Sequence, residues 1–494
     1  MSNISVKKIH LGPAACAVDL GDGSERGEYV DQDYILRKLG RPMRGISLMY
    51  CYYPLDKGWP QRASVAFAGH DTGNSAWGYP YDDYFPFEGG LNGTTEGEPF
   101  RSMREVRRHG QEVVLTITMD PKLPDEHITA VARQLRTFGR LLLRVNHEAS
   151  GSWFSFNKRA TYKEVSDFFA HVCEIFHKEA PHIKLILCLD GHKSLTDEKM
   201  EKEDDFHSAI DAADIISVDR YLALHWGWPY DVADNGGNTF SVTDVKEIYE
   251  LAKRSKKRYE ELSGKVRPMV LSELNADGDV IGAEGQAQMM KDFTDLIKND
   301  PEPWLNAFTL YQFRDKGRLG LEIEDPNNQN VGIEQPLMDT FREIIKDPFF
   351  SPVTEDAGKA EFPVKLRWGG SEDAEGIALP LSFTGNPTFC EAYFEEGNLP
   401  DANLMLEVNG TWFYKAPGVT VVDLMTAFHK APLTGAAEPE LHIYAPPAEG
   451  ENDPSQGEDW AVNYYSTLTA LPRIRIREGA VKPARPSDEA KVSE

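Results

Sequence analysis

The sequence predicts an α/β fold, a (β/α)8 TIM barrel, followed by a smaller all-β domain of sandwich type. Short apolar runs alternate with stretches of helical period up to about residue 350, the pattern of a parallel sheet with crossover helices. The apolar runs fall at 8–15, 45–52, 112–119, 141–146, 183–189, 215–219, 268–273 and 307–313, and eight is the number that closes a barrel. From about Phe362 the rhythm changes to short runs with no helices between them. The 494 residues exceed what one hydrophobic core usually organises, so a large domain with a smaller companion is expected.

Taken in order, the run at 45–52 (Gly-Ile-Ser-Leu-Met-Tyr-Cys-Tyr) and that at 112–119 (Glu-Val-Val-Leu-Thr-Ile-Thr-Met) are rich in β-branched and aromatic residues and carry almost no charge. Such runs suit strands covered on both faces. Helices are expected at 34–39, 101–109, 125–138, 162–177, 242–262 and 286–298, where apolar residues recur at three and four positions. The segment 203–212 is shorter but compatible with a helix. An insertion at 54–99 has no helical period and is crowded with Gly, Pro, Asp and aromatics: Trp59, Trp77, Tyr79, Tyr81, Tyr84, Phe85 and Phe87. These rings either form sugar-stacking subsites over a cavity or pack the loop onto the barrel as its private core. The aromatics from Tyr221 to Tyr230, with Trp226 and Trp228, invite the same two readings.

The barrel is assigned to residues 1–346, and 347–361, with Pro348, Pro352 and Gly358, reads as a linker. The sandwich covers 362–478, with strand-like runs at 364–368, 377–383, 389–394, 404–408, 412–414 and 441–444. Between two of them Asn409-Gly410 is the strongest hairpin signal in the chain. The charged stretch 479–494 reads as a disordered tail.

A formal net charge of −26 argues against a nucleic-acid partner, since neutralising phosphates needs clustered Lys and Arg. No stretch approaches the roughly 20 apolar residues of a membrane span, so no membrane partner is expected. The opening Met1-Ser-Asn-Ile-Ser-Val-Lys-Lys lacks the charged-then-apolar order of a secretory signal, which implies a cytoplasmic location for a full-length chain and a secreted one if a leader has been removed. The five cysteines are odd in number and scattered, giving neither a disulfide framework nor a zinc spacing. Nothing in the sequence fixes an oligomeric state.

Chemistry is expected where strands end. The run ending in Arg144-Val-Asn-His-Glu148 delivers a carboxylate to the rim of the sheet, followed by Gly151, Trp153, Phe154 and Phe156. The later run Pro268-Met-Val-Leu-Ser-Glu273 ends in a second. Other polar residues at strand ends are Asp120, Asn146, His147, Asp190, Asp219, Tyr221 and Arg314; taken singly, each could be a cap or a loop hydrogen bond. Two glutamates on strands four and seven meet the requirement of retaining glycoside hydrolysis. One protonates the departing oxygen and the other attacks the anomeric carbon, with carboxyl groups about 5 Å apart.

The motif Arg144-x-x-His147-Glu148-x-x-Gly151-x-Trp153-Phe154-x-Phe156 resembles the acid/base motif of glycoside hydrolase family 26, a clan A family of retaining β-mannanases and related β-glycanases. Ser272-Glu273, Asp219-x-Tyr221 and Phe313-Arg314 fall where that family places its nucleophile and the ends of strands six and eight. The resemblance implies Glu148 as general acid/base, Glu273 as nucleophile and Tyr221 as the hydroxyl that holds it. It further implies a substrate-binding set of His147, Trp153, Asp219, Tyr221, Phe313 and Arg314, an oligo- or polysaccharide substrate of β-mannan type or a related β-glycan, and no cofactor or metal. The chain departs from the family at Ser150, Phe156 and Phe313, so mannan specificity is not carried over. His147 could instead be a structural histidine, and Arg314 a scaffold ion pair with Asp315 or Glu322. Two alternatives stand beside the hydrolase: a carbohydrate-binding barrel without catalysis, and a metal-dependent barrel hydrolase built on His70, Asp71, His147, Asp190 and His192.

Overall fold

The computed structural model describes residues 5–12, 14–21, 30–61, 84–196, 203–226, 239–315, 317–369, 374–394, 404–416, 418–445 and 463–478. Barrel strands one to eight are Ala17–Gly21, Gly45–Tyr52, Glu112–Met119, Leu142–Val145, Lys184–Leu189, Ile215–Tyr221, Met269–Asn275 and Ala307–Leu310. Each pairs in parallel with the next, and strand eight returns to strand one, closing the sheet. The helices Gln32–Leu39, Phe100–Arg108, Asp125–Phe138, Tyr162–Glu179, His207–Ala212, Val245–Ser263, Ala283–Asn299 and Pro336–Ile344 follow the strands in turn. Their starts are chemically marked. Asp31 and Asp244 accept from backbone N–H groups in the first turn, and Thr161 with Glu164 forms a reciprocal capping box. The helix at Pro336–Ile344 was not expected from the periodicity; Pro336 sits in its first turn, where a missing N–H costs nothing.

Side chains inside the barrel stack in layers. Val114, Leu142, Ile186, Ile215, Val270 and Ala307 form one apolar ring. Two residues further along the same strands, period-two alternation brings in Asp19, Thr116, Arg144, Ser217, Ser272 and Thr309, all buried. The barrel is thus apolar at its base and polar towards the strand ends.

The first expected strand, 8–15, is not a barrel strand. Lys7–Leu11 pairs antiparallel with Thr354–Lys359 on one side and Ala374–Pro380 on the other, inside the sheet of the C-terminal region. The reason lies in its pattern: buried Ile9 and Leu11 alternate with half-buried Lys8 and His10, which suits a sheet covered on one face. The true strand one, Ala-Val-Asp-Leu-Gly, conceals itself by carrying Asp19, whose charge is matched by Arg44 (Nε to Oδ1, 2.7 Å). The expected linker 347–361 likewise contains the strand Thr354–Lys359, exposed along its whole length.

The C-terminal region is a sandwich of antiparallel sheets. An eight-stranded sheet and a three-stranded one (Val421–Asp423, Pro387–Tyr393, Arg473–Glu478) share a core that includes Leu366, Ile377, Cys390, Ala392, Leu406 and Ile443. The Asn409-Gly410 hairpin forms as expected between Leu404–Val408 and Thr411–Lys415, with both turn residues at positive φ, the geometry a type I′ turn demands. This region packs on the barrel through Leu36, which joins Ile9, Leu11, Met405, Trp412 and Tyr444 in one cluster. Trp412 N–H donates to the carbonyl of Gly40 (3.3 Å), and Tyr414 lies on His109 (centroids 4.8 Å). Gly40 and His109 close helices that lead into the N-terminal ends of strands two and three, so the contact lies towards the barrel end opposite the strand C-termini.

All five cysteines are buried and unbridged. Among the described residues no helix is long and apolar enough to cross a membrane.

Candidate active site

Strand four supplies the cation around which the site is organised. Arg144 is fully buried, and such a charge persists only where partners compensate its lost hydration. Its Nε donates to Thr116 Oγ1 on strand three (2.8 Å). Nη1 lies 3.4 Å from both oxygens of Asp219 on strand six, and Nη2 donates to Glu273 Oε1 on strand seven (3.0 Å). Burial alone would lower the guanidinium pKa, but Asp219 and Glu273 more than reverse it and keep the charge in place.

Glu273 reaches this position through a bulge. The register with strand six shifts between Leu271 and Glu273, so one residue is extra. Leu271 and Leu274 both face the outer core. Ser272 and Glu273 both face inward, Ser272 against Ser217 (2.5 Å) and Glu273 against Arg144. Strict alternation from Val270 would have turned Glu273 towards the helices. Its second oxygen accepts from the Tyr221 hydroxyl (2.7 Å). Burial, then the Glu273 charge, raises the Tyr221 pKa well above its usual value and keeps that hydroxyl a donor. Asp219 is pushed up to about 8, first by burial and then by Glu273, with Arg144 opposing. Burial is the largest cause; beyond it, a single cation cannot neutralise every carboxylate packed around it.

Glu148 leaves strand four through a strained turn. Asn146 and Glu148 both have positive φ (51° and 47°); asparagine tolerates this, but for glutamate it costs about 1–2 kcal/mol. The turn is held on several sides. Asn146 Oδ1 accepts from Met119 N–H (2.7 Å), Ala149 N–H donates to the Cys188 carbonyl (2.9 Å), and Asn157 Nδ2 donates to the Ala149 carbonyl (2.9 Å). Strain held in place by its surroundings marks functional positions. The Glu148 side chain is partly open to solvent, and its Oε2 accepts from the Trp153 indole N–H (2.8 Å). Burial, followed by the charges of Asp219, Glu273 and Asp190, raises its pKa well above the usual carboxylate value, while the indole bond opposes the shift. Gly151 makes room for that indole, since a Cβ there would lie 2.8 Å from Trp153 Cε2.

His147 is buried between the Tyr84 hydroxyl (Nε2, 2.9 Å) and Phe154 (centroids 4.4 Å). Burial, then Arg144, lowers its pKa well below the usual value, so it is a neutral imidazole. Asp120 stands apart at the rim, where Arg159 Nη1 contacts it (2.7 Å) while Nη2 reaches Asp56 (2.7 Å). Arg314 pairs with buried Glu322 (2.9 Å) and lies over the Tyr34 ring (5.2 Å to the centroid). Phe313 is fully buried and meets Tyr34 edge-on. The structure therefore draws Glu148, Trp153, Asp219, Tyr221 and Glu273 together with His147 alongside, and seats Phe313 and Arg314 in a neighbouring cluster around Tyr34. Strand eight ends at Leu310, three residues before the expected end, so Tyr311 becomes the strand-end aromatic, edge-on to Tyr221 (centroids 5.8 Å).

From the sequence, Arg144 entered only as the first residue of the motif, Tyr84 only among the insertion aromatics, and Tyr311 not at all. Arg144 did carry a signal: a lone charge inside an apolar run has to be partnered when buried. Of the insertion aromatics, Trp59, Tyr84 and Phe87 pack against the barrel core, whereas Trp77, Tyr79 and Tyr81 lie outside the described residues, as do Trp228, Tyr230 and the tail after 478. His70 and Asp71 lie outside them too; among the described residues no group of three or more His, Cys, Asp or Glu could hold a metal ion.

No protein-family model matches this chain, and no curated protein sequence does. Solved structures to which it is similar include a family 26 β-mannanase from Bacteroides ovatus, at 11% identity over 68% of this chain and 90% of that one with a TM-score of 0.41. A modular endo-β-1,4-mannanase from Cellulomonas fimi aligns at 12% identity over 87% and 95%, with a TM-score of 0.41. A β-glucosidase from Thermotoga maritima in complex with deoxynojirimycin aligns at 11% over 69% and 99%, again at 0.41. Superpositions this loose add nothing to the strand order itself.

Proposed function

We propose that this protein is a retaining β-glycoside hydrolase that acts on a β-linked oligo- or polysaccharide through Glu148 and Glu273. One observation carries the reading: two strand-end glutamates at one end of the barrel sit in unlike environments. Glu148 is half-buried, set among acidic side chains and held towards its protonated form, as a general acid requires. Glu273 receives one hydrogen bond from a guanidinium and one from a phenol on its two oxygens, which orients a carboxylate for attack. Pairs of acids whose surroundings differ in this way separate the acid role from the nucleophile role.

In the first step Glu148 protonates the departing glycosidic oxygen while Glu273 attacks the anomeric carbon, forming a glycosyl ester on Glu273. Glu148, now ionised, removes a proton from water, which hydrolyses the ester and regenerates both groups. Tyr221 and Arg144 position the nucleophile, and neutral His147 backs the acid/base turn. Trp153 both tunes Glu148 and offers an apolar face beside the cleaved sugar. The motif resemblance directs the choice of substrate towards β-linked glycans, and the departures at Ser150, Phe156 and Phe313 keep it from singling out mannan.

Glu273→Ala and Glu148→Ala variants test this on a panel of β-glycans and aryl glycosides. Glu273→Ala is expected to abolish turnover. Glu148→Ala is expected to slow natural substrates about 10²- to 10⁴-fold, while aryl glycosides whose phenol leaves without protonation should still release a burst of phenol before the slowed hydrolysis of the glycosyl ester limits turnover. Wild-type turnover in both variants would remove the reading. Tight oligosaccharide binding with no turnover by the wild type would leave a carbohydrate-binding barrel instead.

A further inference from the structure

From the outer face of the three-stranded sheet we infer that the C-terminal region carries a second glycan site, one that holds an acidic, uronate-bearing polysaccharide on a ladder of three arginines. The choice of a glycan over other polyanions rests on the glycoside-hydrolase reading above; the ladder itself does not.

The strand Arg473–Glu478 alternates strictly. Ile474 and Ile476 turn into the sandwich core, so Arg473, Arg475 and Arg477 all project from the opposite face. Among the described residues it is the last strand of its sheet, paired with Pro387–Tyr393 alone. The register places Tyr393 beside Arg473, Glu391 beside Arg475 and Phe389 beside Arg477. The guanidinium of Arg475 lies 4.3 Å from the Tyr393 centroid, that of Arg473 5.5 Å from the same ring, and that of Arg477 5.9 Å from Phe389. Among the described residues neither Arg475 nor Arg477 forms an ion pair, although Glu391 on the central strand and Asp423 on the opposite edge strand share the face.

Three like charges at alternate positions of one strand repel one another. They stand in a chain whose formal net charge is −26, where acidic partners are plentiful. Each guanidinium has a ring beside it, Tyr393 for Arg473 and Arg475 and Phe389 for Arg477. A planar guanidinium fork matches a carboxylate, and a row of them matches a polymer that bears carboxylates at intervals. From Arg473 to Arg477 the row spans roughly 13 Å, enough for several successive uronate residues. A nucleic acid fits less well. It would need many more phosphate contacts and would bring a denser charge against the acidic body of the protein. The site lies on the sandwich, which joins the barrel at the end remote from the two glutamates, so it would tether a uronate-bearing polymer and take no part in cleavage.

Affinity electrophoresis of the whole chain at low salt tests this, with gels containing polygalacturonate, alginate, poly-glutamate, single-stranded RNA, the neutral α-glucan dextran or no polymer. Retardation by at least one polyuronate, fading as salt rises, and none by dextran is the expected result. The triple variant Arg473→Gln, Arg475→Gln, Arg477→Gln should bind about tenfold more weakly or not at all. The corresponding triple Lys variant should fall between, and turnover of a neutral aryl glycoside should be unchanged in both. If the triple Gln variant does not fold, Arg477→Gln alone should still weaken retardation. Absence of polyuronate binding by the wild type, equal retardation of wild type and variant, or binding confined to poly-glutamate or single-stranded RNA would each overturn the inference. Because retardation is read without turnover, it is independent of the outcome for Glu148 and Glu273.

Discussion

At the scale of single residues, Arg144 has the largest consequences. It compensates Asp219 and Glu273 at once, in a place where neither meets bulk water. Arg144→Met should cost about 3–5 kcal/mol of stability near neutral pH, because it strands charge in the interior. Denaturant unfolding at pH 7 checks this, and a loss below about 1 kcal/mol would contradict the charge argument. Asp219 makes a pH prediction with a definite sign. Its carboxyl is pushed up to about 8 in the folded protein, whereas an unfolded Asp titrates near 3.9. Between those values the folded state holds a proton that the unfolded state releases, so this group makes stability fall as pH rises from about 4 to about 8. Asp219→Asn removes the effect, and its stability should decline less than wild type between pH 5 and pH 8. A decline of equal size in both proteins would show that the proton resides elsewhere.

At the scale of elements, the loop after strand four sets the geometry of Glu148, and Gly151 is where it is most exposed to a single change. Gly151→Ala puts a methyl within 2.8 Å of the Trp153 indole, which has to move and release Glu148. Turnover should fall about ten- to a hundredfold. Loss of a donor that favours the ionised form should also shift the alkaline limb of the pH–rate profile upward. A fall in rate with an unmoved limb would mean that the loop acts only on substrate packing. The strands and helices were legible because each announces itself over a short window. Six helices and seven strands lie close to where periodicity placed them, and 45–52, 112–119 and 125–138 match to the residue. The extra residue in strand seven was not legible. A bulge is a property of two paired strands, and nothing in Leu-Ser-Glu alone requires it.

At the scale of the whole molecule, a strand from the N-terminal part of the chain lies inside the large sheet of the C-terminal region. Lys7–Leu11 is an interior strand of the C-terminal sheet, and Leu36 of the first barrel helix packs with it. Removal of everything after residue 347 would therefore leave Ile9, Leu11 and Leu36 without cover. Such a truncated barrel should aggregate or bind hydrophobic dyes, whereas a barrel and sandwich joined by a free linker would separate cleanly. Limited proteolysis followed by gel filtration distinguishes the two. If a monomeric, fully folded barrel is recovered, the shared sheet contributes little to stability.

By itself the sequence determined the alternating order of strands and helices, the sandwich with its Asn-Gly hairpin, and the two glutamates at the ends of apolar runs. Each of these is written in neighbouring residues, through side-chain period, turn chemistry and the contrast between buried and exposed positions. Tertiary structure alone decided that the first apolar run joins the far end of the chain, that a bulge turns Glu273 inward, and that Arg144 gathers Asp219 and Glu273. Those outcomes depend on which remote segments share a low-dielectric interior, where a charge must find its partner, and no local pattern encodes the choice.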